Sequence, residues 1–246
     1  MRAFLEESGL DGLLMVGESI CNADMFYLSR FLAQDSFTLL LGEHVTLLVS
    51  SMEVGRALKE SSADEVVSTS RYGIMERLLS GASPGEAYHQ VLVEFLRDQG
   101  MRRIGVPFRF PAGAYQRLSR DFPVTVLEES PVARWRSVKT AQEMDAIRQV
   151  QRACERAIGR AVELIAAARV RGDLLISGDS PLTAEQVRTC IEACLLEDGC
   201  ESADTIVAGG DAAVDPHARG SGPLPAGSPI VIDVSPRSKT SRYYAD

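Results

Sequence analysis

The sequence predicts an α/β protein built from two domains, and three observations carry that prediction. Strand-like and helix-like segments alternate through residues 1–130. A stretch rich in proline and charge then breaks the alternation at 128–140, and a long capped helix follows it. The expected domains are therefore 1–130 and 131–246, the first α/β and the second α+β.

Residues 2–8 read as a short helix and 12–16 as an apolar strand, with a loop through Cys21, Asn22 and Ala23. FTLLL, GEH and VTLLVS read as a β-hairpin closed by a short polar turn. Pro84 opens a helix whose apolar residues Val91, Leu92, Phe95 and Leu96 recur at helical spacing, and Gly100 ends it. IGV at 104–106 and VTVL at 124–127 supply further strands.

The segment EESPVARWRSVKT is expected to be the linker, with Trp135 packing between domains. Beyond it, Thr140 and Glu143 have the spacing of a capping box, in which each side chain satisfies a backbone N–H of the other residue. Met144, Ile147, Cys154, Ile158, Ala161 and Ile165 then mark the apolar stripe of a long helix. Thr183 and Gln186 repeat the box before a second helix that turns Val187, Ile191, Cys194 and Leu195 inward. DTIVAGG and SPIVIDVS are two strand candidates, and RYYAD is a third.

Composition narrows the function. At 45% hydrophobic and 24% charged, the chain has enough apolar residues for a core and enough charge for a soluble globular surface. The formal charge of −8, with acids and bases interleaved, gives no basic stripe for a phosphate backbone, so no nucleic-acid partner is expected. No apolar run approaches the roughly 18 residues of a membrane span, and the acids in MRAFLEESGL do not suit a signal peptide. A cytoplasmic protein without a membrane partner is expected. The five cysteines are odd in number and scattered, which suits reduced thiols; Cys190 and Cys194, one helical turn apart, read as core residues rather than a metal or redox group with Cys200.

Asp233 ends PIVID and Asp246 ends RYYAD, with the turn-forming PRSKTS between them. If these segments form a hairpin centred near Lys239 and Thr240, the two carboxylates face each other and repel. A divalent cation between them reverses the sign of that interaction. Spacing alone leaves two readings open, solvated turn acids and a metal pair. His217, on a loop after Asp215 and Pro216, is by itself either a surface residue or a functional one. His44, in the hairpin turn, and His89, on a helix, receive no role.

The run from Asp204 to Asp246 resembles the first half of the signature of the creatinase, prolidase and Xaa-Pro aminopeptidase family of pita-bread metallopeptidases. TIVAGGDAAVDPH is similar to the family's strand and loop ending in an active-site histidine, here His217. GSPIVIDV and RYYAD are similar to the strands bearing its first and second metal aspartates, here Asp233 and Asp246. ARWRSVKTAQEMDAIRQVQRACERAI resembles the lead-in to the catalytic domain, and the preceding residues resemble the family's N-terminal α/β domain.

The resemblance implies an N-terminal domain of the creatinase/prolidase type followed by an incomplete pita-bread domain. It implies a peptide substrate cleaved at an Xaa-Pro bond, two divalent ions of Mn, Co or Zn, and a homodimer. In it His217 donates a hydrogen bond during catalysis, while Asp233 and Asp246 bind metal. Two departures stand out. The turn between the aspartates is longer than the family's, and the family's later histidine and two glutamates have no counterpart, because Asp246 is the last residue. Weak metal binding at most, and no peptidase activity, are expected of these 246 residues alone. A non-catalytic binding module and a creatinase-like amidinohydrolase are the alternatives; retention of both aspartates argues against each.

Overall fold

The structure is a computed structural model that describes residues 2–246. It divides into two compact units at Val138 and Lys139. In the first unit α1 (Arg2–Ser8), β1 (Gly12–Gly17), α2 (Ala23–Ser29), β2 (Phe37–Leu41), β3 (Val45–Val49), α3 (Val54–Glu60) and β4 (Glu65–Ser68) come first. They are followed by α4 (Ile74–Leu79), α5 (Pro84–Asp98), β5 (Ile104–Pro107), α6 (Ala112–Leu118), β6 (Val124–Leu127) and α7 (Pro131–Ser137).

Six strands form one sheet in the order β4-β3-β2-β1-β5-β6. The expected hairpin is β2 and β3, antiparallel with Leu41 opposite Val45. Alternation along these strands feeds two cores. Leu13, Met15, Leu39, Leu41, Leu47 and Val49 point to one face, where they meet Met25, Ala57 and Val132 from α2, α3 and α7. Leu14, Leu40 and Leu48 point to the other, against Val91, Leu92, Phe95 and Leu96 of α5. Both faces of β2 and β3 are consequently buried, as expected of a sheet layered between helices.

Two segments differ from the sequence reading. Residues around Cys21 to Ala23 open α2, whose first N–H groups at Asp24 and Met25 donate to the Asn22 side chain. The expected linker at 128–140 contains α7, capped by Ser130 with Pro131 in its first turn. That helix belongs to the first unit: Val132 is fully buried in its core, and Trp135 meets the Phe4 ring edge-on at 6.3 Å. Arg136 also donates to Asp24 Oδ1 at 2.7 Å. The division between units thus falls later than residue 130, and Trp135 packs within the first unit.

The second unit comprises α8 (Ala141–Ala166), β7 (Arg169–Arg171), β8 (Leu174–Ser177), β9 (Ser180–Pro181), α9 (Ala184–Glu197), β10 (Cys200–Glu201), β11 (Ile206–Gly209), β12 (Ile230–Asp233) and β13 (Arg237–Ser238). Both capping boxes are formed as the spacing predicts, at Thr140 with Glu143 and at Thr183 with Gln186. Val150, Ala153, Cys154, Ala157 and Ala161 of α8 pack with Val187, Ile191, Cys194 and Leu195 of α9. Met144, expected in the stripe, is exposed. Cys200 joins the same core. The strands form three small sheets, β10-β13, β11-β12 and β7-β8-β9.

Candidate metal centre

Asp233 closes β12, which pairs antiparallel with β11 so that Asp233 lies opposite Ile206. Ile230 and Ile232 turn toward the core, while Val231 and Asp233 lie on the exposed face. Across the strand's root, the Cys154 thiol of α8 makes a long contact of 3.6 Å with the Val234 carbonyl. The side chains that fix Asp233 are therefore those of the core beneath it, and its own carboxylate is left to the surface.

Asp246 follows Ala245, a buried residue of the same core. The expected hairpin of PIVID with RYYAD is not formed: β12 pairs with β11, and residues 242–246 run antiparallel to 235–239 instead. Ser238 N–H donates to the Tyr243 carbonyl at 3.0 Å and Ala245 N–H to the Pro236 carbonyl at 3.0 Å. Arg237 is thus opposite Tyr244. Continued outward, this register sets Asp246 level with Ser235 and puts Asp233 two positions beyond, so the two aspartates are not directly opposite. Since strand side chains alternate, residues 233 and 235 still share a face.

The register is set by the turn. Ser238 Oγ accepts from the backbone N–H groups of Thr240 and Ser241, and Arg242 takes a left-handed φ of 61°. A non-glycine residue held there costs on the order of 1–2 kcal/mol. The Arg242 side chain has a compensating contact, donating to Glu201 Oε1 at 3.1 Å. Arg237 donates to the same oxygen at 2.7 Å and, through its other nitrogen, to the Tyr244 hydroxyl at 2.9 Å. Hydrogen bonding from Arg237, opposed by desolvation and reinforced by the two guanidinium charges, holds the Glu201 carboxyl below its ordinary value.

A second carboxylate, Glu143, grips this segment. Its Oε2 accepts from Thr140 N–H at 2.8 Å, completing the cap, while Oε1 accepts from the Tyr243 hydroxyl at 2.6 Å. Glu143 is only 6% exposed, so both oxygens leave water for these partners.

The two aspartates come within electrostatic reach of one group. Burial first, then Asp246, with Glu155 and Asp233 adding, pushes the Cys154 thiol up. Among the described residues neither aspartate carboxylate has a hydrogen bond or an ion pair. Two such oxygen donors fit a hard divalent cation as two of its ligands. Among the described residues no group of three or more His, Cys, Asp or Glu is arranged to hold a metal ion.

His217 is exposed on the loop after β11, and its backbone N–H donates to Asp215 Oδ1 at 3.0 Å. Its imidazole makes no hydrogen bond or ion pair with any described residue, and the structure does not bring it into such contact with Asp233 or Asp246. The loop itself is bolted down three residues later. Gly220 has φ +73°, and a Cβ there would sit 1.8 Å from the Val207 carbonyl oxygen of β11. Arg188 of α9 donates to the carbonyls of Arg219 and Gly220 at 2.9 and 3.0 Å. The sequence reading passed over Gly220, Arg188, Glu201 and Tyr243. A glycine amid the ARGSG run was the one local signal for this close approach.

Comparison with known proteins follows this division. The sequence profile of the creatinase/prolidase N-terminal domain matches residues 1–138. That of metallopeptidase family M24 matches residues 145–246. No curated protein matches the chain. Its fold is similar to the prolidase from Pyrococcus horikoshii OT3, with a TM-score of 0.70 at 19% identity over 96% of this chain and 59% of that one. The prolidase from Pyrococcus furiosus gives 0.71 at 18% identity over 96% and 64%. The X-Pro aminopeptidase from Thermotoga maritima MSB8 gives 0.69 at 22% identity over 92% and 58%. At these identities the likeness is one of fold, and the chain spans less than two thirds of each of these structures.

Proposed function

The chain belongs to the creatinase/prolidase family of metallopeptidases, and from that premise we propose that it is part of a metal-dependent peptidase that cleaves Xaa-Pro bonds. The bond would lie at the N-terminus of a peptide or in a dipeptide. The observation that carries the reading is the pair Asp233 and Asp246, two exposed carboxylates that have no hydrogen-bond or ion-pair partner among the described residues and stand near the same buried thiol. Divalent ions of Mn, Co or Zn bound there would act as Lewis acids toward a peptide carbonyl and supply hydroxide near neutral pH.

Asp233 and Asp246 would hold such ions through anionic oxygen, and the buried anchors Val234 and Ala245 keep their backbones in place. His217 has its imidazole free to donate a hydrogen bond to a substrate carbonyl oxygen as charge develops on it. The Xaa-Pro preference is supported by similar structures that span both units, among them two named prolidases and one named an X-Pro aminopeptidase. We extend the reading to a cytoplasmic homodimer, tested by light scattering that should return twice the chain mass. No helix among the described residues is long and apolar enough to cross a membrane.

The decisive experiment uses the longest natural chain that contains these 246 residues. Hydrolysis of Gly-Pro or Ala-Pro should depend on added Mn²⁺ or Co²⁺ and should be lost in Asp233→Asn and in Asp246→Asn. Full activity of either variant in metal-replete buffer would remove the aspartates from the metal site, and no hydrolysis by the parent chain with metal added would favour a non-catalytic binding module.

A further inference from the structure

We infer that Tyr243 and Glu143 are positioning residues that set where Asp246 presents its carboxylate, an inference that rests on the metal reading above. The segment bearing Asp246 has no regular strand of its own beyond Arg237–Ser238. What orders it is a set of contacts to other elements. Backbone bonds at Ser238 and Ala245 fix its register. Glu201 grips Arg237 and Arg242 on one side of the turn. Tyr243, three residues before Asp246, reaches the first turn of α8 through the Glu143 carboxylate at 2.6 Å.

The role of Glu143 is what distinguishes this contact from ordinary packing. A capping-box glutamate needs only one carboxylate oxygen for the cap N–H, and on a helix end its other oxygen ordinarily faces water. Here the residue is buried and the second oxygen is given to a phenol 100 positions along the chain. A phenol donating to a carboxylate at 2.6 Å is a short, charge-assisted bond, and it is directional. It fixes the Tyr243 ring and thereby the path of the backbone from Tyr243 to Asp246. The same helix, about three turns further on, carries Cys154 beneath Val234, next to Asp233. One rigid helix thus references both aspartates, Asp233 through the strand root and Asp246 through Tyr243.

Removing the phenol hydroxyl should leave the cap intact and loosen Asp246 alone. In Tyr243→Phe we expect amide hydrogen exchange at Ser238 and Ala245 to accelerate at least roughly tenfold, with the amides of Val150 to Ala161 unchanged. Mn²⁺ binding to the longest natural chain that contains these residues, read by electron paramagnetic resonance, is expected to weaken roughly tenfold in the variant, as for removal of a group that orients a metal ligand. The melting temperature should move little. Glu143→Gln, which can still accept from Thr140 N–H but lacks the charge that strengthens the phenol bond, should accelerate the same amides by a smaller factor than Tyr243→Phe. Unchanged exchange in Tyr243→Phe would overturn the inference, as would faster exchange with undiminished Mn²⁺ affinity. Those results leave the metal reading standing. A parent chain that binds no Mn²⁺ would overturn the metal reading and the positioning role together.

Discussion

The central strands of the first unit's sheet are covered on both faces, whereas β12 of the second unit is covered on one. In β2 and β3 every residue is buried, so each position is fixed by packing. In β12 burial alternates, and Asp233 stands on the side that packing does not constrain. An open face is where a carboxylate can be held without losing water, and also where the fold contributes least to its placement. The second unit therefore has to position its acids by other means, through turn geometry and long hydrogen bonds across the chain.

The strongest way to break that comparison is at Gly220. Alanine there would meet the Val207 carbonyl and would have to hold a left-handed φ. We expect Gly220→Ala to destabilise the second unit by more than about 3 kcal/mol, read by chemical denaturation, because strain and steric displacement add. A small loss would mean that the His217 loop is not fixed to β11 at all. Next in size is Leu47→Ala in the first unit, where a fully buried side chain leaves a cavity between layers. A loss of about 2–5 kcal/mol is expected from the same measurement.

A smaller effect concerns acid. The folded-state value of Glu201 lies below its ordinary 4.5, so its pairing with Arg237 and Arg242 contributes stability above that pH. The contribution is lost as pH falls through the lowered value. Because the pair is partly solvated, no more than about 1 kcal/mol is at stake. The denaturation midpoint of the parent chain should fall more steeply below pH 4.5 than that of Glu201→Gln. The smallest effect is expected at Val231, on the exposed face of β12: Val231→Thr should change stability by less than about 0.5 kcal/mol. A loss comparable to that of Leu47→Ala would show that this face is covered after all.

What could be read from the sequence was local. The two capping boxes need only a three-residue spacing, and the β2–β3 hairpin only two short apolar runs about a polar turn, so each was visible in a short window. The same local signals misled at α7, where proline and charge suggested a break although a Ser130 cap followed by Pro131 in the first turn also starts a helix. At the aspartates, symmetry about Lys239 and Thr240 placed the acids opposite each other. The observed register is set instead by Ser238 bonding into the turn and by Arg242 in the left-handed region, and neither follows from residue type. Glu143 was recognised as a cap, but its bond to Tyr243 joins residues too distant for any spacing rule.

Trp135 gives the first unit an optical label. It is the one tryptophan in the chain, and it rests on Phe4 and the core that Val132 enters. Excited at the red edge of its absorption, the protein emits from a single indole that senses only the surroundings of α7. Circular dichroism in the far ultraviolet, by contrast, sums the helices of both units, among which α8 is the longest. Following both signals through one melt separates loss of the sheet from loss of the helix that references the aspartates, with no label added to the protein.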